Sequence, residues 1–334
     1  MKLQGSVPVT VETIREELSH TAISSSTMNL IVWIDDKERR NWVLERAEMI
    51  AEKHPSFCLI LDRTGECTDA QILTSERDVE THVTTQGETV VMNVDCLEPA
   101  QVADFVLALS RDNVPSILWW TGTRADRPFF DALLPHVETI VVDASGGERD
   151  ESTLRSLYAW HRDHTGVQLR DLAWLRLRPW REMIAHFFDD PRVLDELNHI
   201  TGLHIKSGSD AEALYLGGWL ASRLGWTPSG QNAFTSRTGT PIAFTRERVG
   251  GIRRVRSICL DSEHSWYHGE VTADDENVVR LWVEGEFARG PHLFTLNSLD
   301  NASLLEQAVL QHGTDEMFET ALRSAGTLVG GSGT

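Results

Sequence analysis

Four cysteines in 334 residues, Cys58, Cys67, Cys96 and Cys259, are too few and too scattered to staple a chain of this size, and no two form a CxxC pair. Reduced thiols are the expectation, and nothing in the spacing supports a bond between Cys58 and Cys67. Apolar runs are short, and none approaches the roughly 18 uncharged residues that a membrane-crossing helix needs. The N-terminal Met1-Lys2-Leu3-Gln4-Gly5 turns polar within a few residues, unlike a secretory leader, so a cytoplasmic protein with no membrane partner is expected. Positive charge is scarce too. With 31 basic residues against 50 acidic ones the formal charge is −19, which argues against a nucleic-acid partner, because phosphates demand a basic face. Lysine is the scarcest base: only Lys2, Lys37, Lys53 and Lys206 occur, leaving 27 arginines. Codon bias is the plainer cause; the sharper one is that arginine suits interfaces and anionic ligands.

Catalytic motifs are also missing. After the first apolar strand a dinucleotide-binding fold would place GxGxxG, but the chain reads Asp35-Asp36-Lys37-Glu38-Arg39-Arg40, with no glycine to let backbone approach a pyrophosphate. There is no GxxxxGK[ST] loop, no GxSxG elbow and no HExxH. Asp35 and Asp36 sit at a strand's C-terminal end, where α/β proteins hold ligands or metals; a helix cap with a spare surface acid is the plainer reading. His161 with His164, and His264 with His268, lack the converging third and fourth ligands of a zinc site. Cys58 lies inside an apolar strand and reads as packing, whereas Cys67 sits in a polar loop.

What is present is enough for two cores: 41% hydrophobic residues, including 11 Trp and 11 Phe, in a chain longer than one core usually serves. Residues 1–27 read as an N-terminal arm holding one amphipathic segment, Val11 to Leu18. From Leu30 the pattern becomes short apolar runs (30–34, 57–61, 89–94, 116–120, 139–143) alternating with helical stretches (37–52, 99–110). That is the mark of a mostly parallel sheet buried on both faces, a Rossmann-like α/β domain over residues 28–168 closed by a helix from 151 to 164. Residues 169–326 read as an α+β domain with an antiparallel sheet, built from strands near 241–245, 252–260, 265–271 and 278–283. A helix at 210–224 is announced by Ser209 with Glu212 and ended by Gly225; helices near 304–311 and 315–324 and a flexible tail, 327–334, follow. The pair Gly217-Gly218 inside the helix implies close packing against another element.

The densest signal is Asp171-Leu-Ala-Trp-Leu-Arg-Leu-Arg-Pro-Trp-Arg181. Alternation from Ala173 to Arg178 reads as a short strand with Trp174, Arg176 and Arg178 on one face, running into a helix with Pro179 at its first position. Trp and Arg together are the pairing enriched at binding hot spots, so Trp174, Arg176, Arg178, Trp180 and Arg181 are candidate partner contacts. Burial would instead require acidic mates. A second group, Arg246, Arg248, Arg253, Arg254 and Arg256, is a candidate anion or acidic-partner site, with a solvated, salt-bridged face as the commoner explanation.

Three separated motifs, Asp171 to Arg181, Trp119-Trp120-Thr121-Gly122 and Leu216-Gly-Gly-Trp-Leu-Ala-Ser-Arg-Leu-Gly-Trp226, resemble the glucose-6-phosphate dehydrogenase assembly protein family, OpcA, in the family's order. The resemblance spans roughly residues 29–315. It implies a non-catalytic partner, without a cofactor, that binds the dehydrogenase of the oxidative pentose phosphate pathway and favours its active oligomer. The family's motif residues correspond to Trp119, Trp120, Trp174, Arg176, Pro179, Trp180, Arg181 and Trp219. Thr121 stands where many relatives have proline, and no closely spaced cysteine pair lies near the C-terminus, so thioredoxin-type control is not expected. Two alternatives remain open: an enzyme processing sugar phosphates or nucleotide sugars with Asp35, Asp36 and Asp143, or a metabolite sensor using the second arginine group.

Overall fold

The computed structural model describes residues 11–19, 26–65, 70–79, 83–122, 126–146, 150–230, 232–250 and 254–330. They divide into two compact units. One takes in residues up to Val142 with Gly166–Arg170 and Leu305–Leu310; the other takes in Asp143–Thr165, Asp171–Leu304 and the residues from Gln311 on. The helix expected to close the first domain therefore groups with the second.

In the first unit the elements run α1 (Val11–Ser19), β1 (Asn29–Ile34), α2 (Arg40–Lys53), β2 (Phe57–Asp62), β3 (Ala70–Val79), β4 (Val83–Asn93), α3 (Pro99–Leu109), β5 (Ser116–Trp120), α4 (Arg127–Leu133) and β6 (Thr139–Val142). With β7 (Gln168–Asp171) the strands form one sheet in the order β3-β4-β2-β1-β5-β6-β7. The β4-β2, β2-β1, β1-β5 and β5-β6 pairs are parallel, and β3 is an antiparallel edge. Every residue of β1 and β2 is buried, which explains why these strands read as continuous apolar runs. Arg170 donates to the Ala308 carbonyl at 2.6 Å, and Glu306 accepts from Lys53 at 2.7 Å, so the 305–310 segment is held to this unit by polar contacts.

The second unit contains α5 (Asp150–Asp163), α6 (Leu172–Arg176), α7 (Arg178–His186), β8 (Ile200–Ser207), α8 (Asp210–Leu224), β9 (Thr227–Gly230), β10 (Ala233–Thr235), β11 (Pro241–Arg248), β12 (Val255–Ser262), β13 (Ser265–Val271), β14 (Val278–Gly285), β15 (Arg289–Thr295) and α10 (Glu316–Gly330), while α9 (Asn301–Leu310) begins in this unit and ends in the first. Its sheet runs β15-β14-β13-β12-β8-β11-β10-β9 and is antiparallel except for β8 with β11. Burial alternates along β11, β13 and β14, so one face packs on the core and the other meets solvent. Helix α10 runs on through Gly330 with Leu328 and Val329 buried, where the flexible tail was expected to have begun, and the last four residues lie outside the described ones.

Helix α8 follows its sequence signals. The Ser209 hydroxyl accepts from the Glu212 backbone, and Gly225 ends the helix at φ 69°, a left-handed conformation that favours glycine. Close packing at the glycine pair is also present: a Cβ on Gly217 would lie 2.8 Å from the Phe244 ring, and one on Gly218 would lie 2.4 Å from the Ala321 carbonyl oxygen of α10.

Cys58 is buried and free, and burial pushes its thiol up to about 12, in keeping with inert packing. The expectation of reduced thiols fails at Cys96, which is disulfide-bonded. Cys67 lies outside the described residues.

Candidate functional site

The stretch from Ala173 to Arg178, expected as a short strand, is helical. After β7 the Asp171 side chain caps α6 by accepting from the Ala173 backbone at 2.9 Å, and the chain turns into α7 with Pro179 in its first turn. Leu172, Ala173, Trp174 and Leu175 are all buried, so α6 has no solvent face to impose a helical period, and its alternation imitated a strand.

Most of the expected contact residues point inward. Trp119 and Trp174 are 2% exposed, Trp180 5% and Trp219 9%. Trp174 donates from Nε1 to Asp315 at 3.0 Å and packs against Tyr215 and Phe318. The Arg181 guanidinium lies 3.7 Å from the Trp174 ring centroid and donates to the Trp174 carbonyl at 2.8 Å. Burial, opposed by Asp315, lowers the Arg181 pKa to about 10. Among the signature arginines Arg178 stays outside, its side chain 64% exposed and paired with Glu182 at 2.9 Å.

Arg176 has the acidic mates that burial demands. One end donates to Asp143 Oδ2 and the other to Glu212 Oε1 and Ser145 Oγ, all at 2.9 Å, while the Ser145 hydroxyl donates to Asp143 at 2.6 Å. Two carboxylates thus share one guanidinium, and they titrate apart. Burial pushes Glu212 up to about 7 despite Arg176; at Asp143 burial is outweighed by Arg176 and the Ser145 hydrogen bonds, and the pKa falls below the usual range. Glu212 therefore does not complete the capping box expected of it, since its carboxylate goes to Arg176.

Beside this group Asp171 is fully enclosed. It accepts from the Ala144 and Ala173 backbones at 3.0 and 2.9 Å and from the Tyr215 hydroxyl at 2.7 Å. Burial and the nearby Asp143 push its pKa from 3.8 up to about 7. The unfolded chain releases that proton first as pH rises, so the folded state loses stability between about pH 4 and 7 and carries the full penalty above that. Asp171→Asn keeps the oxygen that accepts both backbone N–H groups, and its amide can donate to the Tyr215 oxygen. The variant should equal the wild type near pH 4 and exceed it above pH 7 by at least about 1 kcal/mol, roughly 2–4 °C in Tm. Melting curves across pH check this, and parallel curves for the two proteins would refute it.

The second arginine group splits. Arg246 bonds to Glu151 at 3.1 Å, and Arg248 to Asp150 at 3.0 Å and Asp210 at 2.9 Å, as a salt-bridged face would. Arg253 lies outside the described residues. Arg254 and Arg256 line an open pocket with Arg176, Trp180, Glu212 and Glu276.

In the first unit Trp33 and Trp120 stack at 5.0 Å near the C-terminal ends of β1 and β5, with Phe129 against Trp33 and Phe130 against Trp120. Trp119 meets Trp42 edge-on at 6.0 Å. Thr121 donates to the Trp33 carbonyl at 2.6 Å, tying the turn after β5 to β1. Asp36 accepts from the Glu38 backbone at 2.9 Å, as a turn acid does. His164 bonds to the Trp160 carbonyl, His161 lies 3.8 Å from Glu319, His264 faces Glu196 and His268 stacks on Trp282. Among the described residues no three His, Cys, Asp or Glu side chains are grouped to hold a metal ion.

Glu212 and Tyr215 as partners of the motif were missed from sequence, as was the burial of Asp171 within it. One usable signal was present: Glu212 is a lone acid in the apolar stretch Ala211 to Leu216, and such an acid needs a mate.

Residues 47–159 match the family model described as the glucose-6-phosphate dehydrogenase subunit N-terminal domain, and residues 167–322 match the corresponding C-terminal domain. A Nostoc punctiforme protein named as an OxPP cycle protein, OpcA, is 26% identical over 250 residues, covering 66% of this chain and 53% of that protein. A Synechocystis protein of the same name is 34% identical over 137 residues, 40% of this chain and 28% of its own length. The chain thus spans about half the length, or less, of these relatives. Among solved structures, an NAD binding oxidoreductase from Klebsiella pneumoniae superposes with a TM-score of 0.51 at 10% identity, over 91% of this chain and 95% of that one. The 3-ketoreductase KijD10 from Actinomadura kijaniata gives 0.50 at 13% identity, over 91% and 96%. At such identities the likeness is one of fold alone.

Proposed function

This chain belongs to the OpcA family of glucose-6-phosphate dehydrogenase subunit and assembly proteins, and from that premise we propose that it is a non-catalytic partner that binds glucose-6-phosphate dehydrogenase and favours its active oligomer. The observation that carries the reading is the presence of both family domains in one chain, in order. An activator needs only differential affinity for the active form of its enzyme, and no chemistry of its own. Two features of the interior support a binding role. The sheet edge where α/β proteins hold dinucleotides has stacked indoles and a first loop without glycine. Asp143, Asp171 and Glu212 are committed to arginine, tyrosine and backbone partners rather than left open to a substrate.

Burial narrows the contact surface. Arg178 and the partly exposed Trp120 and Arg181 are the motif side chains we assign to partner contact, while Trp119, Trp174, Arg176, Trp180 and Trp219 hold the fold that presents them. A cytoplasmic location, with neither nucleic acid nor membrane as partner, belongs to the same proposal; among the described residues no helix is long and apolar enough to cross a membrane. Adding the protein to the dehydrogenase should lower the enzyme's apparent KM for its sugar phosphate or raise kcat, and Arg178→Glu should weaken that response. Kinetics unchanged at excess partner would contradict the activation.

A further inference from the structure

We propose that the pocket lined by Arg176, Trp180, Arg254 and Arg256 in the second unit binds a phosphate monoester. Its walls come from the first turn of α8 through Glu212, the α6–α7 junction through Arg176 and Trp180, and the start of β12 through Arg254, Val255 and Arg256. Val271, Glu276, Leu296 and Ser298 complete it, and it is a shallow concavity open to solvent.

The arginines at the two ends of the 246–256 stretch have different fates. Arg246 and Arg248 each have a carboxylate within hydrogen-bond distance. Among the described residues no carboxylate is recorded within 4.0 Å of Arg254 or Arg256. Backbone geometry aims the second of them: the β12–β8 register slips between Val255 and Ser257, which leaves Arg256 without a partner residue on β8. Bulges of this kind re-aim side chains and recur next to binding sites. Arg254 acts on the pocket floor, since its charge is felt by the buried Glu212 carboxyl.

Three guanidiniums therefore converge on one concavity in a protein of net charge −19. Arg176 is held rigidly by Asp143 and Glu212, so its position is set before any ligand arrives. Guanidinium forks match the terminal oxygens of a phosphate, and the buried Trp180, Val255 and Leu296 limit water on one side, which strengthens charge-assisted hydrogen bonds. Near neutrality burial keeps Glu212 partly protonated, which lessens the repulsion of an incoming dianion. Exposed Glu276 on the rim is placed to accept from a hydroxyl of the ligand body.

The inference stands apart from the dehydrogenase association, and calorimetry on the full chain alone tests it, with inorganic phosphate, glucose 6-phosphate and glucose as probes. Saturable binding is expected for the phosphate-bearing probes and none for glucose. Tighter binding of the ester than of inorganic phosphate is expected, and equal binding would assign free phosphate and overturn the monoester. Arg254→Gln and Arg256→Gln should each weaken binding at least tenfold, while Arg246→Gln should leave affinity unchanged. No saturable binding at millimolar concentration, or wild-type affinity in both pocket variants, overturns the proposal. Should a pocket variant melt early, phenylglyoxal labelling of the wild type decides: phosphate should protect Arg254 and Arg256, and unchanged labelling overturns the site.

Discussion

Arg176→Met should unfold the second unit in urea well before the wild type does, at a cost of about 3–5 kcal/mol. The guanidinium is the common partner of the part-exposed Asp143 and of Glu212, whose side chain is 1% exposed, and removing it takes the counter-ion from both and leaves Glu212 enclosed without one. Methionine fills much of the same volume, so the loss isolates charge rather than packing. Arg176→Lys should fall between, because one ammonium cannot span both carboxylates with the fork's geometry. Glu212→Gln should cost much less, since it removes a buried acid and leaves Arg176 its bonds to Asp143 and Ser145. Urea midpoints followed by tryptophan fluorescence rank the three variants, and a methionine variant as stable as the wild type would show that the network carries no stability.

Gly218→Ala should also destabilise, against the sign that helix propensity alone gives. In an exposed helix interior the change would gain about 1 kcal/mol. Here the new Cβ would lie 2.4 Å from the Ala321 carbonyl oxygen and 2.9 Å from the Ala325 nitrogen, both backbone atoms of α10 that cannot rotate aside. Helices α8 and α10 must separate, and overpacking of this kind costs about 1–3 kcal/mol or more. Gly330→Ala, near the end of α10 with nothing within 4 Å of the added carbon, should be neutral or slightly stabilising. Thermal melts of the pair decide, and a Gly218→Ala protein that melts at or above the wild type would contradict the contact.

Where the chain's pattern was local, it was legible. Strands β1, β2 and β5 announced a parallel sheet because burial on both faces forces unbroken apolar runs, and α8 carried both of its end signals in Ser209 and Gly225. The 171–181 segment was misread because a short helix buried on all sides shows no helical period, so two-residue alternation of Trp and Arg with Ala and Leu stood in for a strand. Its arginine looked like a surface group because its mates lie far off in sequence: 31, 33 and 36 residues separate Arg176 from Ser145, Asp143 and Glu212. The five arginines from 246 to 256 looked uniform in sequence for the same reason. Only three-dimensional proximity to Asp150, Glu151 and Asp210 separates the two that are paired from the two that line a pocket.

The family's motif thus marks a buried frame, and function is assigned to what that frame presents. Light scattering of the mixed proteins tests this most directly: a species heavier than either glucose-6-phosphate dehydrogenase or this chain alone is expected, weakened by Arg178→Glu, whereas two unshifted masses at micromolar concentration would contradict the association.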